Sequence, residues 1–131
     1  EGNVKEGADF LAANGAKEGV TTTASGLQYK ILTAGIGAIP TADSTVEVHY
    51  AGRLLDGTEF DSSVKRGVPA QFGVTQVIPG WTEALQLMAE GARWELYIPA
   101  ELAYGPGGAG PIGPNSVLIF EVELLDANID G

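Results

Sequence analysis

Four stretches of the chain alternate between apolar and polar residues, namely residues 27–31, 46–51, 92–98 and 118–124. A period of two is typical of a strand that buries one face and exposes the other. The stretches are separated by turn residues, among which Asp56-Gly57 is a strong hairpin signal. The pattern therefore predicts an antiparallel sheet whose strands are half-buried.

A single helix is predicted inside this β region. Trp81, Leu85 and Met88 recur at i, i+4 and i+7, so they share one helical face. The helix begins after Pro79-Gly80 with a tryptophan, although small polar residues are usual at that position. The ring is either ordinary core or the floor of an open site. Because only the sheet can cover so short a helix, we expect an α+β domain in which strands wrap around it.

The first 25 residues follow a different pattern. Residues 3–18 are predicted to be helical, with a thin apolar stripe that includes Leu11, and Gly19 is predicted to end the helix. Residues 21–26 are expected to form an extended connector. We therefore divide the chain into a helical arm with its connector at 1–25 and a domain at 26–131. Because so thin a stripe needs a partner surface, we expect the arm to belong to something larger.

Composition argues against several classes of protein. Seventeen acidic and seven basic residues give a net charge of −10. This charge opposes affinity for nucleic acid or anionic membranes, since both require clusters of Lys and Arg. The chain has no cysteine, so it can form no disulfide, thiolate metal site or cysteine nucleophile. No stretch reaches the roughly 20 apolar residues of a membrane span, so we expect no membrane insertion. The chain begins without Met, which we interpret as processing or cutting of a longer protein.

Two features, a glycine pattern and a single histidine, do not support the sites that they suggest. Gly105, Gly107 and Gly110 fit a nucleotide-binding pattern, but a Pro-rich stretch and a strand follow where a helix would be required. The segment is therefore expected to be a surface loop or a flap over a site. His49, the single histidine, has no second His or Cys to complete a metal site or a triad. Its place in the alternation puts it opposite Tyr50, on the solvated face.

Aromatic residues are more informative. Several lie next to turn signals, where side chains often line a mouth instead of filling a core, so the sequence leaves open an aromatic pocket or a large core. Asp61, directly after Phe60, either closes an Asx turn or belongs to such a pocket. The aromatic residues concerned are Tyr50, Phe60, Phe72, Trp81, Trp94, Tyr97, Tyr104 and Phe120.

Four linked motifs carry a resemblance to a known family. VHYAGRLLDGTEFDSS, QVIPGWTEALQLM, LYIPAELAYG and LIFEVELL closely resemble, in order and spacing, the FKBP-type peptidyl-prolyl cis/trans isomerases. The resemblance covers about Gly26 to Leu125. The preceding FLAANGAKEGVTTTASGLQYKIL is similar to the helix and connector of the bacterial Mip-like subgroup, in which a dimerising N-terminal domain comes first. The Gly-rich flap departs from the pattern, because it lacks a histidine found in some members and is about one residue shorter.

The resemblance implies a twisted antiparallel sheet around one short helix, with an apolar cavity between them. Trp81 would be the cavity floor, and the Ile78 N–H and Tyr104 hydroxyl would hold the substrate. Asp61 would lie at the rim near the Tyr50 hydroxyl. The catalytic residues implied are Tyr50, Phe60, Asp61, Phe72, Trp81, Tyr104 and Phe120, and the substrate-binding residues are Val77, Ile78 and Ile112.

The implied activity is isomerisation of X-Pro bonds in unfolded or flexible polypeptides. A dry aromatic pocket would remove water from the amide and favour its twisted form, without cofactor or metal. Macrolides such as rapamycin and tacrolimus would bind there. The alternative is a chaperone or peptide-binding module that uses the same pocket. We expect this chain to be a monomer, its intact parent to be a homodimer, and its source to be bacterial, either periplasmic or cytoplasmic.

Overall fold

A computed structural model of the chain describes residues 2–55, 57–108, 112 and 116–129. These residues contain three helices and seven strands, and two short 3-10 turns at Ala100–Leu102 and Gly105–Gly107 precede the last strand. The helices are α1 (Gly2–Gly15), α2 (Ser63–Arg66) and α3 (Pro79–Leu85), and the strands are β1 (Val20–Thr22), β2 (Gln28–Thr33), β3 (Thr45–Arg53), β4 (Glu59–Ser62), β5 (Ala70–Gly73), β6 (Arg93–Ile98) and β7 (Leu118–Asp126).

The strands form one antiparallel sheet in the order β1-β2-β6-β7-β3-β4, and β5 pairs with the first half of β3. Buried and partly buried residues alternate along all nine residues of β3, as the sequence predicts. The predicted class, an antiparallel sheet around one short helix with an N-terminal helical arm, is confirmed. Strand β4 agrees with the hairpin signal, since it pairs with β3. The elements α2, β1 and β5 were not predicted, because three or four residues are too few to show a period.

Helix α3 packs on the concave face of the sheet. Trp81, Leu85 and Met88 are at most 4% exposed, so their predicted burial is confirmed, but the helix was expected to reach about Met88 and ends at Leu85. The helix begins two residues earlier than predicted, at Pro79, which suits the first helical position because its missing N–H would have no partner there. A Cβ at Gly80 would lie 2.6 Å from Ile98 Cγ2, so the missing side chain lets the helix approach β6 closely.

The predicted extent of the arm helix is wrong at its C-terminal end. Helix α1 stops at Gly15 instead of residue 18, since glycine is a poor helix former and Asn14 before it is only slightly better. Gly19 lies beyond the helix with φ +88°, in the turn that leads into β1. Part of the expected connector is strand β1, whose three residues pair with β2.

Helix α1 covers the convex face of the sheet. The Phe10 and Tyr97 ring centroids are 6.0 Å apart. Asn14 Nδ2 donates to Gln28 Oε1 at 2.9 Å, and Gln28 Nε2 donates to the Leu11 carbonyl at 2.8 Å. Gln28 and Tyr97 are therefore buried, at 5% and 6% exposure. The alternation placed both side chains on a solvated face, and that expectation is wrong because the arm occupies it.

The alternation also fails at the end of β2. Ile31 is 49% exposed, although it was assigned to the buried face of its strand. Strand β1 pairs only with residues 28–30, so the side of β2 beyond Lys30 has no neighbouring strand there. Ile31 is exposed because the short edge strand β1 does not extend along β2 as far as this residue.

Candidate functional site

A cavity of about 420 Å³ opens between the concave face of the sheet and the start of α3. It brings together all the predicted site residues except Ile112, and adds Gln76. Ile112 is 6% exposed and belongs to the hydrophobic core, so its predicted contact with substrate stays a prediction. The lining consists of Tyr50, Phe60, Asp61, Phe72, Gln76, Val77, Ile78, Trp81, Tyr104 and Phe120.

Trp81 lies against three other aromatic rings of the cavity. Its ring meets those of Tyr50, Phe72 and Phe120 edge to face, at centroid distances of 5.2, 5.4 and 5.2 Å. These T-shaped contacts place positive ring edges on negative faces and fix the indole from several sides. Only 4% of Trp81 is exposed, so the residue forms a rigid apolar surface of the cavity. This packing explains a tryptophan at the start of a helix.

The side walls come from elements on both sides of α3. Phe60 on β4 meets Phe120 on β7 edge to face, with ring centroids 5.5 Å apart. Phe72 is supplied by β5, which pairs with the first half of β3. Tyr104, just after the first 3-10 turn, is 42% exposed and lies at the open side of the cavity.

The polar rim is a three-residue network. The Tyr50 hydroxyl donates to Asp61 Oδ2 at 2.6 Å, and Arg66 Nη1 donates to Asp61 Oδ1 at 2.5 Å. Arg66 Nη2 also donates to the Tyr50 hydroxyl at 3.1 Å. Both carboxylate oxygens are therefore occupied, and the network fixes the direction of the Tyr50 hydroxyl.

Helix α2 carries Arg66 to this rim. Ser62 caps the helix by accepting from the Lys65 N–H at 3.1 Å. Gly67 ends it in the left-handed region, with φ +76°, and donates to the carbonyls of Ser63 and Val64. This single turn brings Arg66 back over Asp61. Sequence reasoning missed Arg66, although a serine followed four residues later by an arginine and then a glycine is a capped-turn signal.

Burial and hydrogen bonds set the protonation states of the rim. Burial raises the pKa of Tyr50, and the hydrogen bond to Asp61 adds to this rise. Burial alone would raise the pKa of Asp61, but hydrogen bonds from Tyr50 and Arg66 outweigh it, and the pKa is lowered. Both pKa values therefore lie further from pH 7, that of Tyr50 above it and that of Asp61 below it. Near pH 7 the rim therefore holds a neutral hydroxyl and a charged carboxylate, neither poised for proton transfer.

His49 lies on the other side of β3. Its Nδ1 is 2.9 Å from Ser63 Oγ, which also accepts from the Tyr50 backbone N–H at 2.8 Å. The prediction that His49 points away from Tyr50's side of the strand is confirmed. Ser63 is fully buried, so this contact anchors α2 to β3 and presents no accessible nucleophile.

The backbone N–H and carbonyl of Ile78 differ in where their hydrogen bonds go, because the carbonyl is used within α3. Ile78 caps α3, and its carbonyl accepts from the N–H groups of Trp81 and Thr82 at 2.9 and 3.1 Å. Its own N–H has no acceptor among the residues that the structure describes. A free donor on a residue that lines an apolar cavity suits a carbonyl acceptor of a bound molecule.

The described residues offer neither a metal site nor a membrane-spanning helix. Among residues 2–55, 57–108, 112 and 116–129, no group of three or more His, Cys, Asp or Glu side chains could hold a metal ion. Within the same residues, no helix combines the length and the apolar character needed to cross a bilayer.

Two family models match the chain. The first, described as FKBP-type peptidyl-prolyl cis-trans isomerase, matches residues 37–125. The second, described as the domain amino terminal to FKBP-type peptidyl-prolyl isomerase, matches residues 1–31. The first match contains every residue that lines the cavity, and the second contains α1, β1 and the start of β2.

Curated relatives agree with these matches. The chain is 59% identical to the FKBP-type 22 kDa peptidyl-prolyl cis-trans isomerase of Escherichia coli, over 92% of this chain and 59% of that protein. It is 57% identical to a Legionella longbeachae protein named outer membrane protein MIP, over 95% of this chain and 54% of that protein. The chain thus spans little more than half the length of these two relatives.

A solved structure shows the same architecture. The crystal structure of FkpA from Escherichia coli superposes with a TM-score of 0.93 at 46% identity, over 95% of this chain and 59% of that one. The sequence motifs, the aromatic cavity and these matches agree with one another. The chain belongs to the family of FKBP-type peptidyl-prolyl cis-trans isomerases.

Proposed function

We propose that this chain accelerates cis/trans isomerisation of X-Pro bonds in unfolded or flexible polypeptides. The observation that carries the proposal is the cavity with Trp81 against three other rings, open to solvent and lined mostly by aromatic and aliphatic side chains. A proline ring is apolar and of a size to enter such a cavity. The names of the relatives, which are peptidyl-prolyl cis-trans isomerases, support the same conclusion.

The chemistry needs no nucleophile. Amide resonance gives the C–N bond double-bond character and makes uncatalysed X-Pro isomerisation slow, tens of seconds or longer. Water stabilises the planar, charge-separated amide more than the twisted transition state, which is less polar. Transfer to an apolar cavity removes this preference, and a cavity that fits the twisted form adds binding that exists only in the transition state.

Polar groups at the cavity would orient the peptide. The free N–H of Ile78 and the hydroxyl of the half-exposed Tyr104 would donate to carbonyl oxygens next to the proline. Asp61 and Arg66 would act through Tyr50, whose hydroxyl they hold in one direction. In this proposal Asp61 is a positioning residue and transfers no proton.

We propose that macrolides such as rapamycin and tacrolimus bind the same cavity, since they would present an apolar ring and carbonyl acceptors to it. A monomeric state for this chain, a homodimeric parent, and a location in either the periplasm or the cytoplasm stay predictions. The named relatives are bacterial. Sedimentation of the purified chain would test the first of these.

Exchange spectroscopy by NMR on a short X-Pro peptide tests the activity without a coupling protease. We expect wild type to accelerate exchange, and Trp81→Leu to lower kcat/KM by at least about tenfold, because the ring contacts made by Trp81 disappear. The matched control is Trp94→Leu. Trp94 is equally buried, at 5% exposure, but stacks on Tyr29 away from the cavity.

Three outcomes separate the candidate functions. Loss of activity and of rapamycin binding in Trp81→Leu, with both retained in Trp94→Leu, supports the isomerase. Binding of rapamycin and peptide without accelerated exchange in wild type indicates the chaperone or peptide-binding alternative. Wild-type activity in Trp81→Leu contradicts the site.

A further inference from the structure

Gly52 occupies a position of β3 that a side chain cannot fill. It follows Tyr50 by two residues and therefore points to the same, concave face of the sheet. A Cβ at this position would lie 2.6 Å from Phe120 Cε1 and 2.8 Å from Phe60 Cζ. Both distances are far below van der Waals contact, so two rings of the cavity wall occupy the space of the missing side chain.

A β-bulge in the neighbouring strand explains how both rings reach this space. Gly52 pairs with Asp61 and Arg53 pairs with Glu59, so Phe60 has no partner on β3. Consecutive residues of a regular strand point to opposite faces, whereas a bulge redirects one of them. Phe60 and Asp61 are consecutive, and both line the cavity. On the other side of β3, Phe120 of β7 pairs directly with Gly52.

The two rings differ in their freedom to move. Phe120 lies on a central strand, is 4% exposed, and is held by the Trp81 ring at 5.2 Å. Phe60 is half-buried on β4, at the end of the sheet order. A methyl group at position 52 would press on both rings, and Phe60, the less constrained of the two, would move outward and lose its edge-to-face contact with Phe120.

We propose that Gly52 is a positioning residue that, opposite the bulge, lets the Phe60 ring cross β3 and complete the cavity wall against Phe120. The proposal rests on the proposed isomerase function for its kinetic consequence. Gly52 itself touches no substrate, and it acts through Phe60. Because Gly52 has no side chain, it sets the width of the cavity on the side of β4.

A double-mutant cycle with Gly52→Ala and Phe60→Ala tests the kinetic consequence. We expect kcat/KM of Gly52→Ala to fall about tenfold, the factor that corresponds to a lost aromatic pair. Because displacement of Phe60 removes a wall that binds the ground state and the transition state alike, the fall should come mainly from KM. In the Phe60→Ala background, Gly52→Ala should change kcat/KM by less than about twofold. Equal effects in the two backgrounds would overturn the proposal.

Thermal unfolding of the same variants gives a readout independent of isomerase activity. Crowding should lower the Tm of Gly52→Ala by about 5–10 °C. Removing the Phe60 ring takes away one of the two overlaps and leaves space into which Phe120 can turn, so the further loss caused by Gly52→Ala in Phe60→Ala should be less than about half of the loss in wild type. If Gly52→Ala alone does not fold, the double variant should still fold, and a double variant that fails to fold where Phe60→Ala folds would overturn the proposal. Where both single variants fold, an equal loss of Tm in the two backgrounds would overturn it.

Gly7→Ala is the matched control. Its Cβ would lie 2.7 Å from Val117 Cγ2, so the overlap is of the same size but lies on the arm, away from the cavity. We expect it to leave KM and kcat unchanged. A rise in KM like that of Gly52→Ala would show that crowding anywhere in the molecule has this effect, and would overturn the assignment to Phe60. Absence of activity in wild type would reject the proposed function alone, because the unfolding cycle still tests Gly52.

Discussion

At the scale of single residues, the rim of the cavity shows how charge is used without proton transfer. Asp61 accepts from Tyr50 at 2.6 Å and from Arg66 at 2.5 Å, so both of its oxygens are bound. Asp61 and Arg66 remain 42% and 52% exposed, and water screens their attraction. The network therefore contributes direction to the Tyr50 hydroxyl and little to the stability of the fold.

Asp61→Ala should lower kcat/KM by only about three- to tenfold, since it releases the Tyr50 hydroxyl but removes no reacting group. The Tm should stay within about 3 °C of wild type, because the pair is exposed. Peptide exchange by NMR and a melting curve measure the two effects.

Arg66→Met is the matched comparison for Asp61→Ala, because it leaves the hydrogen bond between Tyr50 and Asp61 in place. Its effect on kcat/KM should be smaller than that of Asp61→Ala. Complete loss of turnover in well-folded Asp61→Ala would contradict a positioning role and indicate chemistry by the carboxylate.

At the scale of elements, α1 and β1 extend the domain without touching the cavity. Helix α1 covers the Tyr97 ring and the Gln28 amide on the convex face, while β1 adds an edge to β2. One contact links the connector to the helix that borders the cavity: the Ser25 hydroxyl donates to the Glu83 carboxylate on α3. The residues that line the cavity all lie at or after Tyr50.

Deletion of residues 1–25 should therefore lower stability and leave catalysis nearly unchanged. Uncovering Tyr97 and Gln28 should reduce the Tm by about 5 °C or more, since apolar area returns to water. At 10 °C, kcat/KM for a short peptide should stay within about twofold of wild type, because the ring contacts of the cavity are intact.

Phe10→Ala is the control for this deletion, because it removes one arm contact and keeps the chain length. It should lower the Tm less than the deletion does. A tenfold loss of kcat/KM in the folded deletion variant would indicate that the arm acts on α3 through Ser25 and Glu83.

At the scale of the whole molecule, acidic groups outnumber basic ones by ten. Five cations form ion pairs within the described residues: Lys5, Arg53, Lys65, Arg66 and Arg93. Asp61 and Glu95 have lowered pKa values, because hydrogen bonds from Tyr50 and Arg66, and from Tyr97 and Arg53, outweigh burial. Groups of this kind stabilise the folded state above their unfolded pKa of about 4, and the contribution is lost as pH falls through the folded pKa.

The profile of kcat/KM against pH should accordingly be flat between about pH 5.5 and 9, where Asp61 stays charged and Tyr50 stays protonated. His49→Gln should leave the profile unchanged, because His49 lies across β3 from the cavity. The Tm should fall below about pH 4 as Asp61 and Glu95 take up protons. Protease-free exchange spectroscopy and melting curves at each pH provide the measurements. A bell-shaped profile that disappears in His49→Gln would contradict the mechanism.

The sequence by itself determined the alternating strands, the short helix with Trp81 on its inner face, and the opposite directions of His49 and Tyr50. These features follow from local periodicity, which reports which side of one element is buried. The linked motifs also identified the family and most of the cavity lining, because those side chains belong to recurring stretches of chain.

Only the tertiary structure decided that both faces of the sheet are covered, one by α3 and the other by α1, and which short elements formed. Gln28 and Tyr97 are buried because α1 packs on a face that periodicity assigns to solvent. Arg66 reaches Asp61 through a single helical turn, and Phe60 reaches Gly52 through a bulge in register. These features depend on contacts between elements and on which residues pair across strands. Such contacts and pairings leave no period in the sequence from which they could be predicted.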